Sequence, residues 1–290
     1  MSERRIDVGG VGVAVEDIGE GVPYVFLHGW LRNRAQWRDH APALAREARV
    51  ILVDLPGFGA SDVPKDAPYT AAWFGTHVRG VLDELGLDRV RIIAHGLGAS
   101  AAIAIALETP ERIDRILAVS PSWKRNPLAG LRARYIIEGP LGEYVFRLGL
   151  SRERVRHLLL TRHFHREPIR VDDALVDSVW EPLQRPGARR AAWLSLRADV
   201  DAGFEAALPG LQVPLCGVWG YNDAIHPVDV GRDMERVCPN AVMKLVPNCG
   251  HAVSEMRPRS FTAYLNEFMG TNIDPEHIED GQPRPGTLDF

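Results

Sequence analysis

Three places in this chain carry residues that could do chemistry together: Asp223, His251 and the turn around Gly96. A carboxylate beside a histidine fixes the imidazole tautomer and stabilises its charged form, which makes the ring a general base. Asp223 stands in Trp219-Gly-Tyr-Asn-Asp223-Ala-Ile-His-Pro227 and His251 in Asn248-Cys-Gly-His251, each just past an apolar run that reads as a strand. The third segment, Ala94-His95-Gly96-Leu97-Gly98, ends the apolar run 90–95 and opens a helix. A sharp strand-to-helix turn can display a nucleophile at its apex, and here the apex residue is Gly96. Glycine has no side chain with which to attack a carbonyl or form a covalent intermediate.

The elements that must position these residues follow from local pattern. Ile6 to Val15 alternates around Gly9-Gly10, which predicts a hairpin. Buried strands are predicted at Pro23–Leu27, Val50–Val53, Val90–His95, Ile113–Ser120, Val213–Trp219 and Ala241–Val246. Helices are predicted from Arg34 to Ala48, from Thr70 as a cap to Leu85, from Leu97 to Glu108, from Val228 to Val237 and near Arg259 to Met269. Strands alternating with helices imply a mostly parallel sheet with right-handed crossovers. The alternation stops after Ser120, and the stretch from Trp123 to about Leu208 is mainly helical. The expected organisation is therefore a core of residues 1–122 and 209–269, a helical insertion over 123–208, and a disordered tail over 270–290 rich in proline and acids. An insertion between two halves of one sheet would lie as a lid over a site at the strands' carboxyl ends.

Composition narrows the partners. The formal charge is −4 with no lysine block, which argues against nucleic acid. No run reaches the ~20 apolar residues of a membrane span, and the start, Met1-Ser-Glu-Arg-Arg, is no signal core. Cys216, Cys238 and Cys249 lack metal-ligand spacing and read as reduced packed thiols, so a cytoplasmic protein without metal is expected. The oligomeric state is not legible. Gly96-Leu-Gly-Ala-Ser-Ala101 also matches a dinucleotide fingerprint, but the next strand ends Leu117-Ala-Val-Ser120 without the acid that would hold a ribose. No cofactor is expected.

The order of turn, acid and histidine, with His28-Gly29-Trp30 and Asp54-Leu-Pro-Gly-Phe-Gly59, resembles the lid-bearing α/β-hydrolase superfamily over about Ile6 to Met269. The resemblance implies an α/β fold, an eight-stranded mostly parallel sheet flanked by helices, with the helical lid. It implies Asp223 as the acid, His251 as the base, and the backbone N–H groups of Trp30 and Leu97 as an oxyanion hole. Gly96 marks the position of the missing nucleophile. His28 and Trp123 are expected at the substrate pocket, with His28 also a candidate brace for the oxyanion loop. Cys249 and Ser100 are expected to pack rather than react. The basic patch Arg152, Arg154, Arg156, His157, Arg162, His163, His165, Arg166 and Arg170 reads as a solvated helix face, or as an arginine site for a substrate carboxylate.

Three functions remain open on these residues. One is hydrolysis of a small or medium ester, lactone or thioester by His–Asp general-base chemistry without a serine, or a related lyase-like reaction. Another is a catalytically inactive homologue that binds a small apolar ligand or a partner. The last is a serine hydrolase disarmed by exchange of its serine for glycine.

Overall fold

The computed structural model describes residues 2–124, 139, 141–167, 170–200 and 205–278. Its eight strands are β1 (Ser2–Val8), β2 (Val11–Ile18), β3 (Pro23–Leu27), β4 (Arg49–Val53), β5 (Val90–His95), β6 (Ile113–Val119), β7 (Leu215–Gly220) and β8 (Ala241–Val246). They form one sheet in the order β1-β2-β4-β3-β5-β6-β7-β8. Both pairings of β2 are antiparallel and all others are parallel. The hairpin β1–β2 turns on Gly9 and Gly10, at φ 61° and 86°, as a right-twisted two-residue turn requires.

Register brings distant segments together. Leu27 pairs with Val53 on one side and Ala94 on the other, His95 with Val119, Val119 with Val218, and Gly220 with Val246. The parallel strands therefore end level, and residues 28, 54, 96, 120, 221 and 247 all leave the sheet at one edge.

Helices α1 (Ala41–Leu44), α2 (Ala71–Glu84) and α3 (Gly96–Glu108) belong to the first half of the fold. Thr70 caps α2 by accepting the Trp73 N–H at 3.2 Å, and Gly86 at φ 64° follows its end. Every residue of α3 from Gly96 to Ala106 is buried, and its small side chains let it lie close against the sheet. Gly98 is the tightest such point: a Cβ there would lie 2.6 Å from the His28 carbonyl oxygen, which the Gly98 N–H reaches at 3.2 Å. The helix expected over Arg34 to Ala48 is broken into a 3₁₀ turn at Arg34–Trp37 and the short α1. Pro42 explains the break, because it lacks an N–H and is tolerated only in a first turn.

Between β6 and β7 the chain forms α4 (Gly142–Gly149), α5 (Arg152–Leu158), a π-helical turn (Leu159–His163), α6 (Asp173–Trp180) and α7 (Ala188–Val200), with no strand among the described residues. These helices lie on the carboxyl edge of the sheet. Trp30 Nε1 donates to the Ala192 carbonyl at 2.9 Å, Asn33 Nδ2 to Ser178 at 2.9 Å, and Arg170 to Glu255 and Met256 carbonyls at 3.1 and 3.0 Å. Helices α8 (Val228–Val237), α9 (Val253–Met256) and α10 (Pro258–Met269) complete the second half. No described helix is long and apolar enough to cross a membrane.

The tail departs from expectation. Residues 271–278 pack rather than trail away, with Ile273 and Ile278 buried and the Asn266 side chain bonded to Thr271 and to both backbone groups of Ile273. Two isolated isoleucines are too sparse to register in composition, yet they suffice to dock a short segment on α10. The rest of the expected disordered stretch, 279–290, lies outside the described residues.

Candidate active site

The turn from β5 into α3 holds Gly96 at φ +46°, in the left-handed region that an ordinary residue enters only under strain. Beyond the adjoining residues and the helix's own backbone, a Cβ built there would have a single described atom within 4 Å, His251 Nε2 at 3.6 Å. The apex thus faces the imidazole.

The acid and the histidine come from the ends of β7 and β8. Glycine at 220 is required, because a Cβ would fall on the carbonyl oxygens of Cys249 and Gly250 in the neighbouring loop. That close approach brings Asp223 Oδ2 to 2.8 Å from His251 Nδ1, with both side chains buried. The other carboxylate oxygen, Oδ1, accepts the N–H groups of Ile225 and His226 at 2.8 and 2.9 Å. The loop-capping role of an acid after a strand and the pairing role are both filled, one oxygen to each. Burial raises the carboxyl's proton affinity, but His251 and the donated hydrogen bonds outweigh it and hold Asp223 below its ordinary range. An ionised Asp223 keeps the proton of neutral His251 on Nδ1 and leaves a lone pair on Nε2.

Leu97, the second residue of α3, belongs to the first turn, whose N–H groups have no acceptor within the helix. Trp30 lies in the loop after β3, between Gly29, a glycine because a Cβ would approach His95 Nδ1 to 2.9 Å, and Leu31 at φ +59°. One side chain ties this loop to the apex. Gln36 accepts the Gly29 N–H on Oε1 at 3.0 Å and donates from Nε2 to His95 Nδ1 at 2.6 Å. The amide orientation is forced by the backbone donor, so His95 carries its own proton on Nε2. That buried N–H has no partner among the described residues.

Four imidazoles gather here. The His251 ring centroid lies 4.5 Å from that of His95, 5.3 Å from His163 and 5.2 Å from His226. Burial, with the neighbouring His251, pushes His95 and His163 well below the usual histidine range, so both are neutral at pH 7. The Nδ1–H of His226 donates to the Ser120 carbonyl at 2.8 Å. No cluster of three metal-ligating side chains with suitable geometry exists among the described residues.

Several expectations are corrected. His28 is fully buried with both nitrogens engaged, Nδ1 donating to the Gly29 carbonyl at 2.8 Å and Nε2 accepting the Leu55 N–H at 2.9 Å. It braces the loops after β3 and β4 and offers nothing to a ligand. Trp123 is 2% exposed and its Nε1 donates to the Val230 carbonyl at 3.0 Å, so it packs on α8 instead of lining a pocket. His163, read as part of a solvated face, is 2% exposed. Much of the remaining basic patch is held within the insertion, as in the pairs of Arg152 with Asp173 and Asp177. Ser100 and Cys249, by contrast, pack as expected: the Ser100 hydroxyl donates to the Ser122 carbonyl at 2.6 Å, and burial pushes the Cys249 thiol up to about 12, so neither is poised to attack. Sequence reasoning missed Gln36 and the inward turn of His163, since no local pattern marks either.

Known proteins give the same frame. Residues 23–258 match the family model of the alpha/beta hydrolase fold. The chain is 28% identical over 280 residues to a 2-hydroxymuconate semialdehyde hydrolase from a Pseudomonas species, covering 92% of this chain and 93% of that one. It is 29% identical over 266 residues to the pimeloyl-[acyl-carrier protein] methyl ester esterase of Aeromonas hydrophila, covering 90% and 100%. Among solved structures, the epoxide hydrolase CorEH superposes with a TM-score of 0.80 at 24% identity, over 93% of this chain and 98% of that one. With the strand order, the level strand ends and the placement of Gly96, Asp223 and His251, the match over residues 23–258 means that this chain belongs to the α/β-hydrolase fold family.

Proposed function

We propose that this protein is a hydrolase of a small or medium carbonyl compound, an ester, lactone or thioester, working by general-base catalysis from His251 and Asp223 without a serine nucleophile. The supporting observation is the buried 2.8 Å pair whose free Nε2 looks onto the side of Gly96 where a nucleophile's side chain would stand. Water takes the place of the hydroxyl. It gives one proton to Nε2 while its oxygen bonds to the carbonyl carbon, and Asp223 stabilises the imidazolium that results. The oxyanion is received by the Trp30 and Leu97 amides, the second aided by the positive end of α3. When the intermediate collapses, the leaving oxygen or sulfur takes the proton back from Nε2. The helices of 123–208, lying over the carboxyl edge, act as the lid that limits solvent access. The two named relatives support a carbonyl substrate, one being a semialdehyde hydrolase and the other a methyl ester esterase.

A second reading rests on Gly96 itself: a scaffold that binds without turnover, the Asp–His pair being a remnant. Hydrolysis of p-nitrophenyl acetate and butyrate, a γ-lactone and an acyl thioester by wild type and His251→Ala separates the two. Wild-type turnover that vanishes in His251→Ala is the expected result. A wild type no faster than buffer on every substrate would overturn the hydrolytic reading.

A further inference from the structure

We propose that His163, carried into the site by the inserted helices, is the second hydrogen-bonding partner of the water that His251 activates. The inference rests on the hydrolytic reading above and deepens it by naming how the water is held.

The local backbone is built to bring this ring in. The π-helical turn Leu159–His163 directly follows α5 and ends it, and π turns frequently occur at functional sites. His165 and Arg166 follow in the left-handed region, at φ 43° and 63°. The His163 carbonyl accepts the Ala252 N–H at 3.0 Å, directly beside His251, and a Cβ on Gly250 would come within 2.7 Å of that carbonyl. Arg170 donates to Glu255 and Met256 carbonyls, and Glu167 pairs with Arg257 at 2.7 Å, so the segment after the turn is fastened to the loop and helix after β8 on both sides.

The side chain at the end of this construction is 2% exposed, and neither ring nitrogen has a partner among the described residues. Burying an imidazole with both nitrogens unsatisfied costs free energy that a merely structural position would avoid with leucine or phenylalanine. Its ring meets the His251 ring edge to face, centroids 5.3 Å apart. A buried water needs two to four polar partners, and the open side of Gly96 supplies none from its own side chain. With one O–H given to His251 Nε2 and the other to the lone-pair nitrogen of His163, both of the water's lone pairs are free, one of them to form the bond to the carbonyl carbon. His163 stays neutral throughout and transfers no proton. A serine would have been fixed by its own backbone; a water has to be fixed by two side chains.

The test combines a high-resolution crystal structure of wild type and His163→Phe with kinetics of p-nitrophenyl acetate for wild type, His163→Phe and His163→Gln. Expected is a water about 2.6–3.2 Å from both His251 Nε2 and a His163 nitrogen, absent in His163→Phe. Expected too is a kcat lower by on the order of 10²-fold in His163→Phe, with KM little changed, the scale of a misplaced reactant. His163→Gln, whose amide oxygen can accept the same O–H, recovers part of that loss. A wild-type crystal without the bridging water overturns the proposal, as does a change confined to KM or no kinetic change in a folded variant. If wild type proves inert on the ester panel, the hydrolytic reading fails, and the presence or absence of the bridging water still decides this one.

Discussion

Gly96→Ser puts the apex geometry to a quantitative test. The backbone there sits at φ +46°, and an L-residue in the left-handed region costs roughly 1–2 kcal/mol. Packing adds little, because beyond the adjoining residues and the helix's own backbone the only described atom within 4 Å of the new Cβ is His251 Nε2 at 3.6 Å. At about 2–4 °C per kcal/mol for a chain of this size, the melting temperature should fall by roughly 2–8 °C. Activity should move the other way. The hydroxyl oxygen, one bond beyond Cβ, comes within hydrogen-bonding reach of an imidazole already held by Asp223, completing a nucleophile, base and acid. In an optimised serine protease, losing the nucleophile costs about 10⁶ in kcat, which sets the ceiling for what restoring it can return. An unoptimised site should realise at least ~10²-fold, or about 2.7 kcal/mol of barrier. Stopped-flow hydrolysis of p-nitrophenyl butyrate should show an acyl-enzyme burst, and mass spectrometry should place the butyryl adduct on residue 96. A variant that melts as expected yet shows neither adduct nor rate gain would refute the claim that this apex faces a working base. An unchanged melting temperature would refute the strain argument.

Other outcomes follow from the same contacts. Asp223→Asn should leave the fold intact through Oδ1 but release the His251 tautomer, lowering any ester turnover by up to ~10⁴-fold, the loss measured for an equivalent acid-to-amide exchange in a serine protease; an unaffected rate would remove Asp223 from the mechanism. Gln36→Leu strands the buried Gly29 N–H and His95 Nδ1 together, so chemical denaturation should show a loss of about 2–4 kcal/mol, and a loss below about 0.5 would mean the bridge is not formed. Burial holds His28, His95 and His163 below the ordinary 6.5, so the unfolded chain takes up their protons first as pH falls. Their contribution is complete well above pH 6.5 and declines below it, by on the order of 1 kcal/mol between pH 7 and 5.5 for a ring held well below that value, as His95 and His163 are. The depressed Asp223 acts only near and below its ordinary 3.8, outside that window. Melting curves across pH 7 to 5.5 should show the decline, and a flat profile would mean the rings are not buried neutral.

The glycine apex and the inserted helices bear on one problem. A covalent nucleophile is positioned by its own peptide bond, whereas a water must be confined by what surrounds it. Under the proposed reaction that surrounding structure would include the insertion, which hydrogen bonds tie to residues 30, 33, 252, 255 and 256.

Most of the framework could be read from local pattern. The runs 23–27, 90–95 and 241–246 are short, apolar and bounded by turn residues, and they form strands with those bounds. Asp223, His251 and Gly96 were legible for the same reason, each standing just beyond such a run. Where a local signal competed with itself, the outcome was partly lost: the apolar spacing of 34–48 suggests one helix, and Pro42 divides it. What only the tertiary structure decided were matters of burial and of partners far apart in the chain. His163 sits among arginines in sequence, a pattern indistinguishable from a solvated face, until Gly250 and the Ala252 N–H draw its backbone inward. His28 resembles a pocket residue until the Leu55 N–H engages its second nitrogen. The protonation of His95 depends on Gln36, 59 residues away, and through it on the Gly29 N–H. Residue type and spacing determine the backbone a segment prefers and the chemistry it can offer. Which nitrogen bears the proton, and whether it meets water, protein or substrate, is settled only when distant segments close upon one another.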